Sequence, residues 1–178
     1  MQKQREEGKL QKKYLALAEG DLSEANDSVF WKEIAIPLAQ DPENSMKMTI
    51  SPDGLLPGRR NAVTYYKNIK NFGNATLVKL QLETGRTHQI RVHMAGIGHP
   101  LLGDTMYNPR VCLKMSNSKE KKNTEGRINN RNDCFKRAAL HAWKLTFCHP
   151  FTDEIITLEA PLPDDFCRFL NANEEEKT

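Results

Sequence analysis

The chain lacks any run of 18 apolar residues and any basic-then-apolar segment at its start, so nothing in it marks a membrane span or a secretory signal. The cytoplasm is therefore the expected location. Its four cysteines, Cys112, Cys134, Cys148 and Cys167, stand far apart with no Cys-x-x-Cys pair, which sets aside a disulfide framework and a zinc site and reads as reduced thiols. No serine occupies a Gly-x-Ser-x-Gly elbow, so a hydrolase triad has no nucleophile to start from. His88, His93 and His99 are close in sequence, but the first two are not spaced i, i+4, no carboxylate shares their turn, and His99 precedes a proline in a new loop. No metal is expected on that pattern.

What the chain does have is 178 residues with 38% apolar content, sufficient for one core in one domain. The net charge of +3 is unevenly spread: residues 110 to 137 hold nine Lys or Arg against three Asp or Glu, a local +6 that leaves the remainder at −3. That stretch is poor in apolar residues and rich in Asn, Ser and Lys, and reads as a basic flexible loop at 112–135. Two readings stand for it: a solvated insertion, or a sequence-blind contact to nucleic-acid phosphate.

The most informative stretch is Leu82 to His93, LETGRTHQIRVH. Val78, Leu80 and Leu82 alternate with Lys79, Gln81 and Glu83, the period of a half-buried strand, and Gly85 permits a sharp exit. Thr87 reads as a helix N-cap, and Ile90, Met94 and Ile97 predict a short helix over roughly 88 to 95 that stops at Gly96. On it Arg86 and Arg91 are about 140° apart and cannot serve one partner, whereas His88 with Arg91 and Gln89 with His93 share faces. Donors this dense at a turn suit phosphate or a buried carboxylate.

Elsewhere the pattern is mostly strands. Lys13 to Ala18 alternates, with Tyr14, Ala16 and Ala18 on one face and Lys13, Leu15 and Leu17 on the other. Tyr14 beside two alanines suits either core packing or stacking on a base, and the pattern alone favours the core. Residues 30–36 and 46–50 read as an antiparallel pair separated by a proline-bearing segment, and residues 62–69 and 76–82 as a hairpin across Asn71 to Asn74. Arg59 and Arg60 fall in a turn-rich loop and receive no role. His141, Trp143, Leu145 and Phe147 alternate as a strand with a large aromatic face, expected to be core. Residues 155–160 pair back on it, and Asp164 and Asp165 open a last helix. These elements predict an α+β fold, a mixed, mostly antiparallel sheet with a few flanking helices.

Three blocks, GRTHQIRVH, HPLLGDTMY from His99 to Tyr107 and RAALHAWKLTFCHP from Arg137 to Pro150, with KKYLALAEG from Lys12 to Gly20 as a fourth, resemble the RluA-like family of RNA pseudouridine synthases. The order is the family's and the coverage nearly whole. The resemblance implies isomerisation of uridine to pseudouridine in rRNA or tRNA without a cofactor, RNA as partner, no membrane, no metal, and a monomer. It implies that Arg91 pairs with a catalytic aspartate, that Tyr14 stacks on uracil, that Leu140 lines the base pocket, and that the substrate-binding residues Arg86, His88 and Gln89 orient the motif or bind backbone phosphate.

The family's aspartate motif, RLDxxTSG, occurs nowhere in residues 1 to 178; Asp53 and Asp104 are look-alikes that do not follow Arg-Leu. The expectation is therefore a truncated catalytic domain over 1–170 with a frayed tail at 171–178, inactive alone and fragile because Arg91 would lack its acid and a sheet edge would be bare. The alternative is a noncatalytic RNA-binding protein on the same fold.

Overall fold

The computed structural model describes residue 4 and residues 10–22, 30–111 and 135–175. Strands β1 (Gln11–Glu19), β2 (Lys32–Ala35), β5 (Val63–Asn71), β6 (Ala75–Leu82), β7 (Leu140–Cys148) and β8 (Ile155–Glu159) form one sheet in the order β2-β5-β6-β1-β7-β8. Strands β3 (Leu38–Gln40) and β4 (Met48–Ile50) form a second, two-stranded sheet. Every pairing among these strands is antiparallel. Helix α1 (Gln89–Gly96) follows β6, and helix α2 (Asp164–Glu175) closes the chain. The fold is α+β and mostly antiparallel sheet, as the alternation predicts.

The alternation in β1 sorts two cores onto the two faces of the large sheet. Ala16, Ala18, Val78 and Leu80 pack with Ile90, Met94 and Leu101, with Tyr14 and Leu140 at the margin. Leu17 and Leu77, one residue out of phase, pack instead with Phe72, Phe135, Phe166 and Phe169 from the opposite side. Val92 turns away from the large sheet to meet Leu38 and Ala62. Helix α1 is thus wedged between both sheets, which is why five of its eight residues are buried although it carries no broad apolar stripe. A Cβ at Gly96 would lie 3.0 Å from Ile50 Cγ2, so the small sheet crosses the helix end closely.

Several expectations require correction. Residues 32–35 pair with β5 rather than with β4; the partner of β4 is β3, inside the segment taken for a connection. Pro37 ends β2 without preventing a three-residue strand immediately after it. The cap of α1 is His88, in the left-handed region at φ 55, and not Thr87. The aromatic strand β7 contains no fully buried residue, and Trp143 lies half-buried under Lys79 Nζ at 4.7 Å and Lys144 Nζ at 5.7 Å from its ring centroid. The last helix continues to Glu175, across the boundary placed at 170. Of the basic loop, residues 112–134 lie outside the described residues, and Phe135 at its end is buried.

Candidate active site

The hairpin β5–β6 delivers the chain to a turn at residues 83–88, and α1 then projects its side chains in two directions. Gln89 is buried, and its amide is fully used: Nε2 donates to Val63 O at 2.9 Å and Thr64 Oγ1 at 3.0 Å, while Oε1 accepts from Thr84 Oγ1 at 2.8 Å and the Arg86 amide at 2.9 Å. Gln89 therefore holds the turn, the orienting one of the two roles expected of it, with the hydrogen-bonding capacity of its amide spent within the chain. His93, fully buried, continues the same network, with Nδ1 2.9 Å from Thr64 Oγ1 and Nε2 2.9 Å from Ile36 O. Burial pushes its pKa below that of free imidazole, against the pull of the Ile36 carbonyl.

Arg91 faces the other way. Its Nε donates to Asp104 Oδ2 and its Nη2 to Asp104 Oδ1, both at 2.7 Å, a two-pronged ion pair. Asp104 is wholly buried, and its Oδ1 also accepts the amides of Met106 at 3.0 Å and Tyr107 at 3.1 Å. Burial alone would raise the carboxyl pKa, but the Arg91 hydrogen bonds and the two amides outweigh it and hold the group below the usual carboxylate range. The guanidinium is in turn held charged by its hydrogen bonds to Asp104. This overturns the expectation that Arg91 lacks an acid within the chain: thirteen residues on, the GDTMY block supplies one. Asp104, with both oxygens engaged, is not a free nucleophile. Asp53 instead caps its own turn, accepting the Leu55 amide at 3.1 Å.

Tyr107 is the third member. Its ring centroid lies 4.8 Å from Arg91 Cζ, its hydroxyl accepts the Met48 amide at 3.0 Å, and the same hydroxyl is 2.8 Å from His88 Nδ1. The Tyr107 oxygen keeps a second lone pair beside the one that accepts the Met48 amide, so which partner donates in the contact to Nδ1 follows the imidazole tautomer. Burial and then the neighbouring Arg91 charge lower the His88 pKa, with Asp104 opposing. Arg91 Nη1 and His88 Nε2 have no hydrogen-bond partner among the described residues, so the network presents one open donor edge.

Tyr14 sits at a bulge in β1, registered with Leu80 and Ala142, and Leu140 is registered with Ala16. Both are half-buried on the sheet face that α1 packs against. Arg86 stays on the far side of the turn, donating from Nε to Asn61 O at 3.1 Å, so the two arginines do have separate partners. His99 is placed apart from His88 and His93, with Nδ1 2.8 Å from Glu19 O. Sequence reasoning gave Asp104 and Tyr107 no part in the Arg91 network. The three-residue Asp–Tyr spacing, which lets one carboxylate cap the turn that carries the ring, was the available signal.

Comparison with known proteins gives the family. The sequence pattern of the RNA pseudouridylate synthase family matches residues 1–96. The chain is 40% identical over 164 residues to ribosomal large subunit pseudouridine synthase D of Haemophilus influenzae, covering 92% of this chain and 45% of that protein. It is 38% identical over 159 residues to an uncharacterised RNA pseudouridine synthase of Bacillus subtilis, covering 89% and 43%. Among solved structures, human RNA pseudouridylate synthase domain containing 4 superposes with a TM-score of 0.69 at 26% identity, over 97% of this chain and 66% of that one. The chain thus spans under half the length of these bacterial relatives. On the match of the family pattern to more than half of its residues and on these relatives, the chain belongs to the RluA-like family of RNA pseudouridine synthases.

Proposed function

We propose that this chain forms the part of an RNA pseudouridine synthase that holds the target uracil and orients the reacting sugar. In the reaction the N1 glycosidic bond breaks, C1′ bonds to C5, and the proton on C5 is lost while N1 gains one. No cofactor is consumed. A uridine in rRNA or tRNA must leave its stack to react, at a cost of a few kcal/mol that is least for unpaired bases. Tyr14 and Leu140 contact the extruded base, Arg91 directs its open Nη1 edge to the reacting centre, and His88 and Arg86 contact substrate around it. The observation that carries this reading is the Arg91 clamp: Asp104 and the Tyr107 ring fix the guanidinium while leaving one edge unspent.

The family's aspartate motif is not among residues 1–178, so the chain alone is expected to release little or no tritium from RNA labelled at uridine C5. Supplying a polypeptide that carries RLDxxTSG is expected to start release. Efficient release by the 178-residue chain would overturn the assignment of chemistry to an acid outside it. One observation favours the second reading, a noncatalytic RNA-binding protein: the Arg91 charge is already neutralised within the chain and needs no catalytic acid to be stable. RNA binding that persists without any tritium release, even with the motif supplied, would select it.

A further inference from the structure

A cleft of about 330 Å³ opens between the turn before α1 and the small sheet, and no residue of the Arg91 network lines it. Arg86 and Thr87 line it from the turn, Arg60 from the loop bridged to β3, and Leu38 and Met48 from the small sheet. No Asp or Glu lines it. Arg60 is anchored through its backbone, which exchanges hydrogen bonds with Leu38 at 2.8 and 3.0 Å, while its guanidinium has no partner among the described residues. Arg86 is anchored twice, through its amide to Gln89 Oε1 and through Nε to Asn61 O, and both its Nη atoms are unspent among those residues. The Thr87 hydroxyl is likewise without a partner there. One guanidinium held at its Nε, a second carried on an anchored backbone, and a hydroxyl thus line a space that has no carboxylate to neutralise them and has Leu38 and Met48 beside them.

That donor set fits an oxyanion carrying an organic substituent. We propose that the cleft binds a backbone phosphodiester of the RNA strand, with Arg60 gripping the phosphate from the loop and Arg86 from the turn, Thr87 as a third donor and the ribose over Leu38 and Met48. The proposal rests on the RNA reading above and adds a function for the small sheet: β3 and β4 form the far jaw of a strand clamp. Buried Gln89 then acts on RNA indirectly, by holding the Arg86 amide in place.

Arg59 supplies a matched control. It is one residue from Arg60, carries the same charge, and does not line the cleft. The test is binding of a single-stranded RNA to the 178-residue chain, read by fluorescence anisotropy across a salt series, for the wild type and for Arg59→Ala, Arg60→Ala, Arg86→Ala and Arg86→Lys. Removing one phosphate contact is expected to lower the slope of log affinity against log salt by about 0.7, equivalent to about fivefold in affinity at 0.1 M salt. Arg60→Ala and Arg86→Ala should each show this, Arg59→Ala should stay within about twofold, and Arg86→Lys should keep most of the slope while losing affinity. Replacing chloride by inorganic phosphate at equal ionic strength should leave RNA affinity within about twofold; full displacement would mark a free-phosphate site and overturn the proposal. Equal effects of all three alanine variants, with wild-type binding intact, would overturn the cleft alone. A wild-type chain that binds no RNA would overturn the cleft together with the reading it rests on.

Discussion

Gln89 with His93 and His88 with Arg91 are neighbouring pairs at the start of α1; the first converges on the Thr64 hydroxyl, and the second on Tyr107, His88 at its hydroxyl and Arg91 over its ring. The first pair is closed. Every nitrogen and oxygen it carries is matched to a partner inside the chain, and both residues are buried. The second is open, because Tyr107 and Asp104 occupy only part of its hydrogen-bonding capacity. One turn of helix thus separates side chains that make the scaffold from side chains available to a ligand. Density of polar residues in a motif says little about function until the partners are counted.

Two substitutions and one titration can break that contrast, at three depths. The largest effect is expected for Arg91→Met, which strips the partner from a carboxylate that has no access to water: about 3–5 kcal/mol lost at neutral pH, read from urea unfolding. A loss under about 1 kcal/mol would mean that the two amides suffice to hold Asp104. Gln89→Ala is expected to cost about 1–3 kcal/mol by leaving buried groups such as the Val63 carbonyl unpaired. Its RNA affinity should fall only as far as the Arg86 amide is released.

The smallest effect is titration of the closed pair. His93 has a folded pKa below its unfolded value of about 6.5, so the unfolded chain binds more protons as pH falls through that value. Its contribution to stability is therefore complete above about pH 6.5 and declines below it, by at most about 1.4 kcal/mol per pH unit for one proton. His88 is shifted in the same direction, and Asp104, also depressed, adds a further decline below about pH 4. Urea midpoints that stay level from about pH 7.5 to 5.5 would contradict the placement of His93 as a neutral buried ring.

Much of this was legible before any coordinates. The alternation in β1, β6 and β7 fixes which side chains share a face, because a strand repeats every two residues whatever it pairs with. The pairing of Gln89 with His93 and of His88 with Arg91 follows equally from helix geometry. What could not be read was long-range choice. Residues 32–35 and 48–50 look like mutual partners, yet each pairs with something else, because partner selection is settled by Ile34 reaching one core and Leu38 another. The acid of Arg91 was missed for a related reason: it arrives on a loop, where no periodicity announces which way a carboxylate turns. Trp143 was misread because a large ring promises burial, and here two ammonium groups cover it instead of a helix.

Gly103 stands immediately before Asp104, at φ +67, and a Cβ there would come within 2.4 Å of the Arg137 carbonyl oxygen. On its far flank, the Leu102 amide reaches Leu17 O at 2.9 Å and the Ala139 amide reaches Leu102 O at 2.8 Å. The aspartate is consequently mounted on the sheet, by a bracket too tight for any side chain, while its arginine is mounted on the helix. The ion pair is therefore one rivet between the two layers, and the bonds from Gln89 and His93 to Val63 and Thr64 are the others, so helix and sheet can slip only by straining both sides of the helix together.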